Sequence, residues 1–155
     1  MHINDLLEIA VRDKASDLHL TVGRPPMLRI FGELSPVVDQ PVLTPNTILE
    51  LLAPLLDEKR VQTLTQLGQV DFSYGLHCGR FRVNIFRQRG ALSGVMRTIP
   101  TEIPAFDLLG TPAAVKEFAE KTRGLVLATG PTGSGKSTTL ASLIDLVNTN
   151  RNCHI

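Results

Sequence analysis

The chain has 155 residues, 43% of them hydrophobic and 20% charged, which describes an ordinary globular protein with enough length to bury a core. A net charge of +1 gives no electrostatic case for a nucleic-acid or membrane-surface role. No apolar run reaches the roughly 20 residues that span a bilayer, the N-terminus lacks a secretory pattern, and two cysteines make no disulfide framework.

Ile3, Leu6, Leu7, Ala10 and Val11 recur at helical spacing, which predicts an amphipathic helix over 4–14 with Asn4 as its cap. Residues 16–21 then alternate, with Leu18 and Leu20 on one face and Asp17, His19 and Thr21 on the other, as in a half-buried strand. On that pattern His19 is a surface or packing histidine. Two further strands are predicted, 27–31 and 33–38, meeting around Gly32. Thr44-Pro45 starts a helix whose stripe is Ile48, Leu51, Leu52, Leu55 and Leu56, shortened by Pro54. Asp57 caps a second helix carrying Val61, Leu64 and Leu67, stopped by Gly68. Both helices read as core. Three strands follow, with Val70, Phe72 and Tyr74, then Phe81, Val83 and Ile85, then 91–99, joined by turns at His77-Cys78-Gly79 and Arg89-Gly90. The adjacent His77 and Cys78 have no second pair at zinc-binding spacing. These elements predict an α+β domain over 1–100.

Pro100, Pro104, Gly110 and Pro112 mark residues 100–112 as a connection, and Thr111-Pro112 opens a helix to about Lys121. Leu125 to Thr129 reads as a short buried strand. Directly after it, Gly130-Pro131-Thr132-Gly133-Ser134-Gly135-Lys136-Ser137-Thr138 fits G-x-x-x-x-G-K-S/T without a mismatch. A helix over 139–148 follows, with Leu140, Leu143, Ile144 and Val147 on one face. Strand, glycine-rich loop and helix are the context in which that pattern cradles phosphate on backbone N–H groups. ATP and Mg²⁺ are the expected ligands, with Lys136 reaching the β- and γ-phosphates, Ser137 holding the metal, and the amides of Thr132 to Thr138 binding phosphate oxygens. No apolar strand ending in a carboxylate follows the loop. Asp145, the one carboxylate after it, is placed by helical spacing two turns beyond Ser137, facing away. The sequence therefore reads as truncated, and residues 125–155 are expected to pack poorly without further parallel strands.

The runs Ala15-Ser16-Asp17-Leu18-His19-Leu20, Gly23-Arg24-Pro25-Pro26-Met27-Leu28-Arg29, Arg80-Phe81-Arg82-Val83-Asn84, Arg97-Thr98-Ile99-Pro100 and Gly124 through the phosphate loop occur in this order. Together they resemble the PilT-type motor ATPases of type IV pilus retraction, within the type II secretion and type IV pilus ATPase group. The resemblance covers the whole chain. It implies a PAS-like N-terminal domain over 1–100 and the beginning of an α/β RecA-like P-loop domain over 101–155. It also implies a cytoplasmic homo-hexamer, placed peripherally at the inner membrane through the pilus machinery, with a pilus inner-membrane platform protein as partner. In such hexamers ATP sits between subunits, and arginines of the N-terminal domain approach its γ-phosphate. Here those positions are Arg82 and Arg97, with Arg80, Arg87 and Arg89 as further candidates. Alternation with Phe81, Val83 and Ile85 equally fits arginines on a solvated strand face. The family's acidic box, Walker B glutamate and histidine boxes do not occur in these residues, so negligible turnover is expected from this chain alone. The competing functions are a non-catalytic PAS-like assembly or interaction module and, less well supported with so much chain before the loop, a small P-loop nucleotide kinase.

Overall fold

The computed structural model describes residues 2–100, 102–131 and 134–155. The chain divides into two compact units, Met1–Thr101 and Glu102–Ile155.

The first unit is α+β, built on a six-stranded antiparallel sheet. Its strands are β1 (Asp17–Leu20), β2 (Met27–Ile30), β3 (Glu33–Pro36), β4 (Gln69–Leu76), β5 (Gly79–Gln88) and β6 (Ala91–Ile99), in the order β3-β2-β1-β6-β5-β4. Two local meanders are thus joined through β1 and β6, where Leu18 pairs with Met96 and Asp17 with Arg97. Phe31-Gly32 and Arg89-Gly90 are two-residue turns with positive φ at both positions, 50° and 89° in the first, 50° and 81° in the second. That geometry matches the right-handed twist of the flanking strands.

Three helices cover one face: α1 (Ile3–Arg12), α2 (Pro45–Leu52) and α3 (Glu58–Leu67). Burial follows the expected period in α1, α2 and β5. Ile3, Leu6 and Leu7 of α1 and Ile48 and Leu52 of α2 meet Leu18, Leu20, Phe81, Val83, Ile85 and Met96 of the sheet in one core. Thr44 caps α2 through Thr47, and Pro54 turns its end into a short 3-10 segment over Ala53–Leu55. Asp57 accepts a hydrogen bond from Arg60 N at 2.8 Å, and Gly68 closes α3 at φ 74°.

Two local expectations change. His2, not Asn4, caps α1: its Nδ1 accepts from Asn4 N at 3.3 Å while Asp5 Oδ2 accepts from His2 N at 2.8 Å. Asn4 is thereby free to accept from the Tyr74 hydroxyl at 3.0 Å. In α3 only Leu64 is buried, while Val61 and Leu67 are exposed. This helix packs against the edge strand β4, which offers a narrower face, and the Arg60 guanidinium lies 4.1 Å over the Phe72 ring.

The second unit contains a 3-10 turn (Phe106–Leu109), α4 (Ala113–Lys116), another 3-10 turn (Glu117–Glu120) and α5 (Lys136–Asn150). Phe106, Ala119 and Leu143 form its small core, with Leu109, Val115, Leu146 and Val147 packed around them. Ser142 Oγ donates to Pro104 O at 2.7 Å, and Arg151 donates to Ala119 O at 3.2 Å. The predicted helix to Lys121 is broken into α4 and a 3-10 turn. The predicted strand over 125–129 is not formed, and Leu125 and Leu127 are 82% and 74% exposed. A buried parallel strand exists only between neighbours, and none pairs with this run among the described residues. Leu140 and Ile144 are exposed for the same lack of a covering layer.

Candidate functional site

The glycine-rich loop lies in the second unit. Gly130 has φ 148°, and a Cβ built on it would come within 2.8 Å of Ser134 Oγ. A side chain here would have to push the Ser134 hydroxyl aside, and the positive φ itself favours glycine. Ser134 N donates to Pro131 O at 3.3 Å, and Gly135, at φ 84°, forms the N-cap of α5. Thr132 and Gly133 lie outside the described residues. Glycine offers no side chain to cap the helix, and the first turn of α5 carries no acidic residue. Its first amides and the positive end of its dipole are thus left to an outside acceptor. Lys136 opens the helix and donates from Nζ to Pro131 O at 2.6 Å, drawing its charge back across the loop. Ser137 and Thr138 are exposed beside it, whereas Asp145 is exposed further along the helix. No group of three or more metal-ligating side chains gathers among the described residues.

The arginines lie in the first unit, on the sheet face away from the helices. Arg82 of β5 and Arg97 of β6 stand directly opposite each other in the antiparallel register. Two like charges so placed repel, and each is held by its own carboxylate. Arg97 Nε donates to Asp17 Oδ1 at 2.9 Å. Arg82 donates to Asp71 from Nε at 3.0 Å and from a terminal nitrogen at 2.8 Å, which raises its already high pKa. Arg29 Nε lies 3.7 Å from the other oxygen of Asp17, so the row across β2, β1, β6 and β5 runs Arg29, Asp17, Arg97, Arg82. Of the other candidates, Arg80 shares the Arg82 face and reaches Ser73 Oγ at 3.4 Å. Arg87 falls on the opposite parity and Arg89 sits in the turn, so neither joins the pair. The two carboxylates are the site residues that spacing did not single out. Asp17 was visible on the polar face of its strand, but its partner is 80 positions away.

Burial works to raise the Asp17 carboxyl, but hydrogen bonds from Arg97 and Ser16 with the Arg97 charge outweigh it and hold it below its ordinary value. Burial lowers the pKa of His19, against the pull of Asp17 and helped by Arg29 and Arg97. Its Nε2 is buried with no hydrogen-bond partner among the described residues. The unfolded chain then binds the His19 proton more readily than the folded one. Resistance to urea should therefore decline as pH falls from about 6.5 through the depressed His19 value, whereas the Asp17 contribution persists until pH falls below the ordinary carboxylate range near 4. Urea titrations at a series of pH values should show that first decline in the unaltered chain and lose it in His19→Gln.

The family model described as Type II/IV secretion system protein matches residues 1–155. The chain belongs to this family. The type IV pilus retractation ATPase PilT of Pseudomonas aeruginosa is 38% identical over the whole chain, which covers 45% of that relative. The type IV pilus ATPase PilU of the same organism is 36% identical, again over the whole chain and 41% of the relative. A crystal structure of the pilus retraction motor PilT with bound ADP superimposes with a TM-score of 0.88 at 46% identity, covering all of this chain and 46% of that one. The chain thus spans less than half the length of these relatives and corresponds to the N-terminal portion of PilT-type type IV pilus ATPases. That PilT-type match takes in both the glycine-rich loop and the paired arginines.

Proposed function

We propose that the chain is the front part of a type IV pilus motor ATPase, binding ATP at the loop of its second unit. The observation that carries this reading is the loop itself: a glycine at φ 148° packed against the Ser134 hydroxyl, an uncapped helix N-terminus and a lysine at the first helical position. Such a concavity of donors fits a polyphosphate, and bound ADP in the PilT crystal structure supports the same ligand class. Lys136 exchanges the Pro131 carbonyl for β- and γ-phosphate oxygens, the amides from Thr132 to Thr138 bind the remainder, and Ser137 supplies a hydroxyl to Mg²⁺. Magnesium, when bound, neutralises phosphate charge. Hydrolysis also needs a carboxylate to orient water, which this stretch does not supply.

On this reading residues 1–100 are the PAS-like domain and 101–155 the beginning of the RecA-like domain. Leu125 to Thr129 becomes a strand where neighbouring strands cover it. Six copies assemble in the cytoplasm, with the machinery of pilus retraction at the inner membrane and its platform protein as partner. Arg82 and Arg97 of one copy then meet the γ-phosphate held by the loop of the next. Exposed charges that stabilise a transition state only in an assembly explain why two arginines stand side by side at a cost in repulsion. In the complete gene product, Arg97→Ala or Arg82→Ala should lower ATP turnover by about a hundredfold while leaving assembly intact. Unchanged turnover in both variants would reject the arginine role, and absence of nucleotide binding by the unaltered protein would reject the whole reading.

A further inference from the structure

Resting on the proposed role of the arginine pair, we infer that its two carboxylates do opposite jobs: Asp17 is a positioning residue that fixes Arg97, and Asp71 is a latch that holds Arg82 back.

The two ion pairs are built differently. The Asp17 side chain is only 7% exposed, and it accepts from Ser16 Oγ at 2.9 Å and Arg97 Nε at 2.9 Å, with Arg29 Nε 3.7 Å away. Held from three sides in a central strand, this carboxylate has no room to swing. It takes only the Nε of Arg97, so the terminal nitrogens of that guanidinium have no hydrogen-bond partner among the described residues. Arg97 is accordingly aimed and still has donors to give. Arg82 is the reverse case. Asp71 closes on its Nε and one terminal nitrogen together, and the two side chains are 41% and 68% exposed. That pair occupies the edge of the fork that binds oxyanions in a two-pronged manner. Because exposed ion pairs hold weakly, a more highly charged oxyanion can displace Asp71. The shallow cleft of about 190 Å³ lined by Asp71, Arg82, Asn84, Val95 and Arg97 is where such an anion meets both guanidiniums. Removing the first carboxylate should then disorganise the site, and removing the second should release it.

ATP turnover of the complete gene product tests this. Asp17→Asn keeps shape and should lower kcat about tenfold, with KM for ATP moving less than about twofold, because Arg97 loses its aim rather than the loop its nucleotide. On an Arg97→Ala background the same change should cost nothing further. Asp71→Asn should raise kcat/KM about threefold, since Arg82 no longer has to be freed. Where Asp17→Asn does not assemble, Ser16→Ala replaces it: losing one anchor should lower kcat about threefold, and only while Arg97 is present. The inference is overturned if the Asp17 or Ser16 change leaves kcat intact, if its loss persists without Arg97, or if Asp71→Asn is as damaging as Asp17→Asn. If Arg97→Ala itself has no effect, the arginine role under the proposed function falls, and this inference falls with it.

Discussion

Lys136→Ala in the complete gene product should lower ATP turnover by about a hundredfold to a thousandfold, the usual cost of removing one fixed donor from a site of developing charge. The lysine is placed for this by local geometry. It occupies the first position of α5, where Gly135 leaves the helix uncapped, and its Nζ already reaches back 2.6 Å to the Pro131 carbonyl on the far limb of the loop. A phosphate entering between those limbs would find the ammonium in reach with little reorganisation. The substitution removes a charge that no neighbour replaces: Lys121, Arg123 and Arg151 are the nearest basic residues in sequence, none closer than 13 positions, and Arg151 is engaged with Ala119 and Lys121 carbonyls at the other end of the helix. Helix content should be unaffected, since alanine is the better helix former. Turnover assays together with circular dichroism separate the two effects. A variant that folds and turns over normally would remove Lys136 from the site.

Phe81→Ala should destabilise the first unit by about 3–5 kcal/mol, a large share of the roughly 5–15 kcal/mol that holds a typical domain. Phe81 is fully buried near the start of β5, the strand lying between β4 and β6, and pairs with Tyr74 on one side and Thr98 on the other. Helix α1 meets this part of the sheet with Ile3, Leu6 and Leu7 on its inward face, all fully buried. Truncation there leaves a cavity in an interior that cannot collapse far without moving two strands. The neighbouring outward residue, Arg82, makes a useful contrast. Its replacement should cost little stability, because its ion pair is exposed. Urea unfolding followed by far-UV dichroism should show the Phe81 variant at a much lower midpoint and Arg82→Ala near the unaltered chain.

What could be read from the sequence was what is decided locally. The Thr44-Pro45 helix start, the Asp57 and Gly68 ends of α3, and the Arg89-Gly90 turn depend on residues a few positions apart, and all three form. The alternation of Leu18 and Leu20 and of Phe81, Val83 and Ile85 likewise separated core from outer face. What depended on distant partners was hidden. Nothing near Asp17 announces that β1 pairs with β6, so the contact with Arg97 could not be read, nor could the matching of Arg82 to Arg97 across β5 and β6. The glycine-rich loop was legible as a pattern, and Gly130 in it takes a positive φ beside the Ser134 hydroxyl. The run before it forms no strand here, because apolar β-formers make a buried strand only with neighbours to bury them. His2 as a helix cap was missed because histidine is an uncommon one.

If nucleotide held by the loop of one copy meets Arg82 and Arg97 of another, two inactive forms of the complete gene product, Lys136→Ala and Arg82→Ala/Arg97→Ala, should complement each other in ATP turnover when mixed. Mixed assemblies should regain a substantial part of the lost activity, because some junctions then join an intact loop to intact arginines. Turnover that stays at the level of the separate variants, with co-assembly verified, would contradict it.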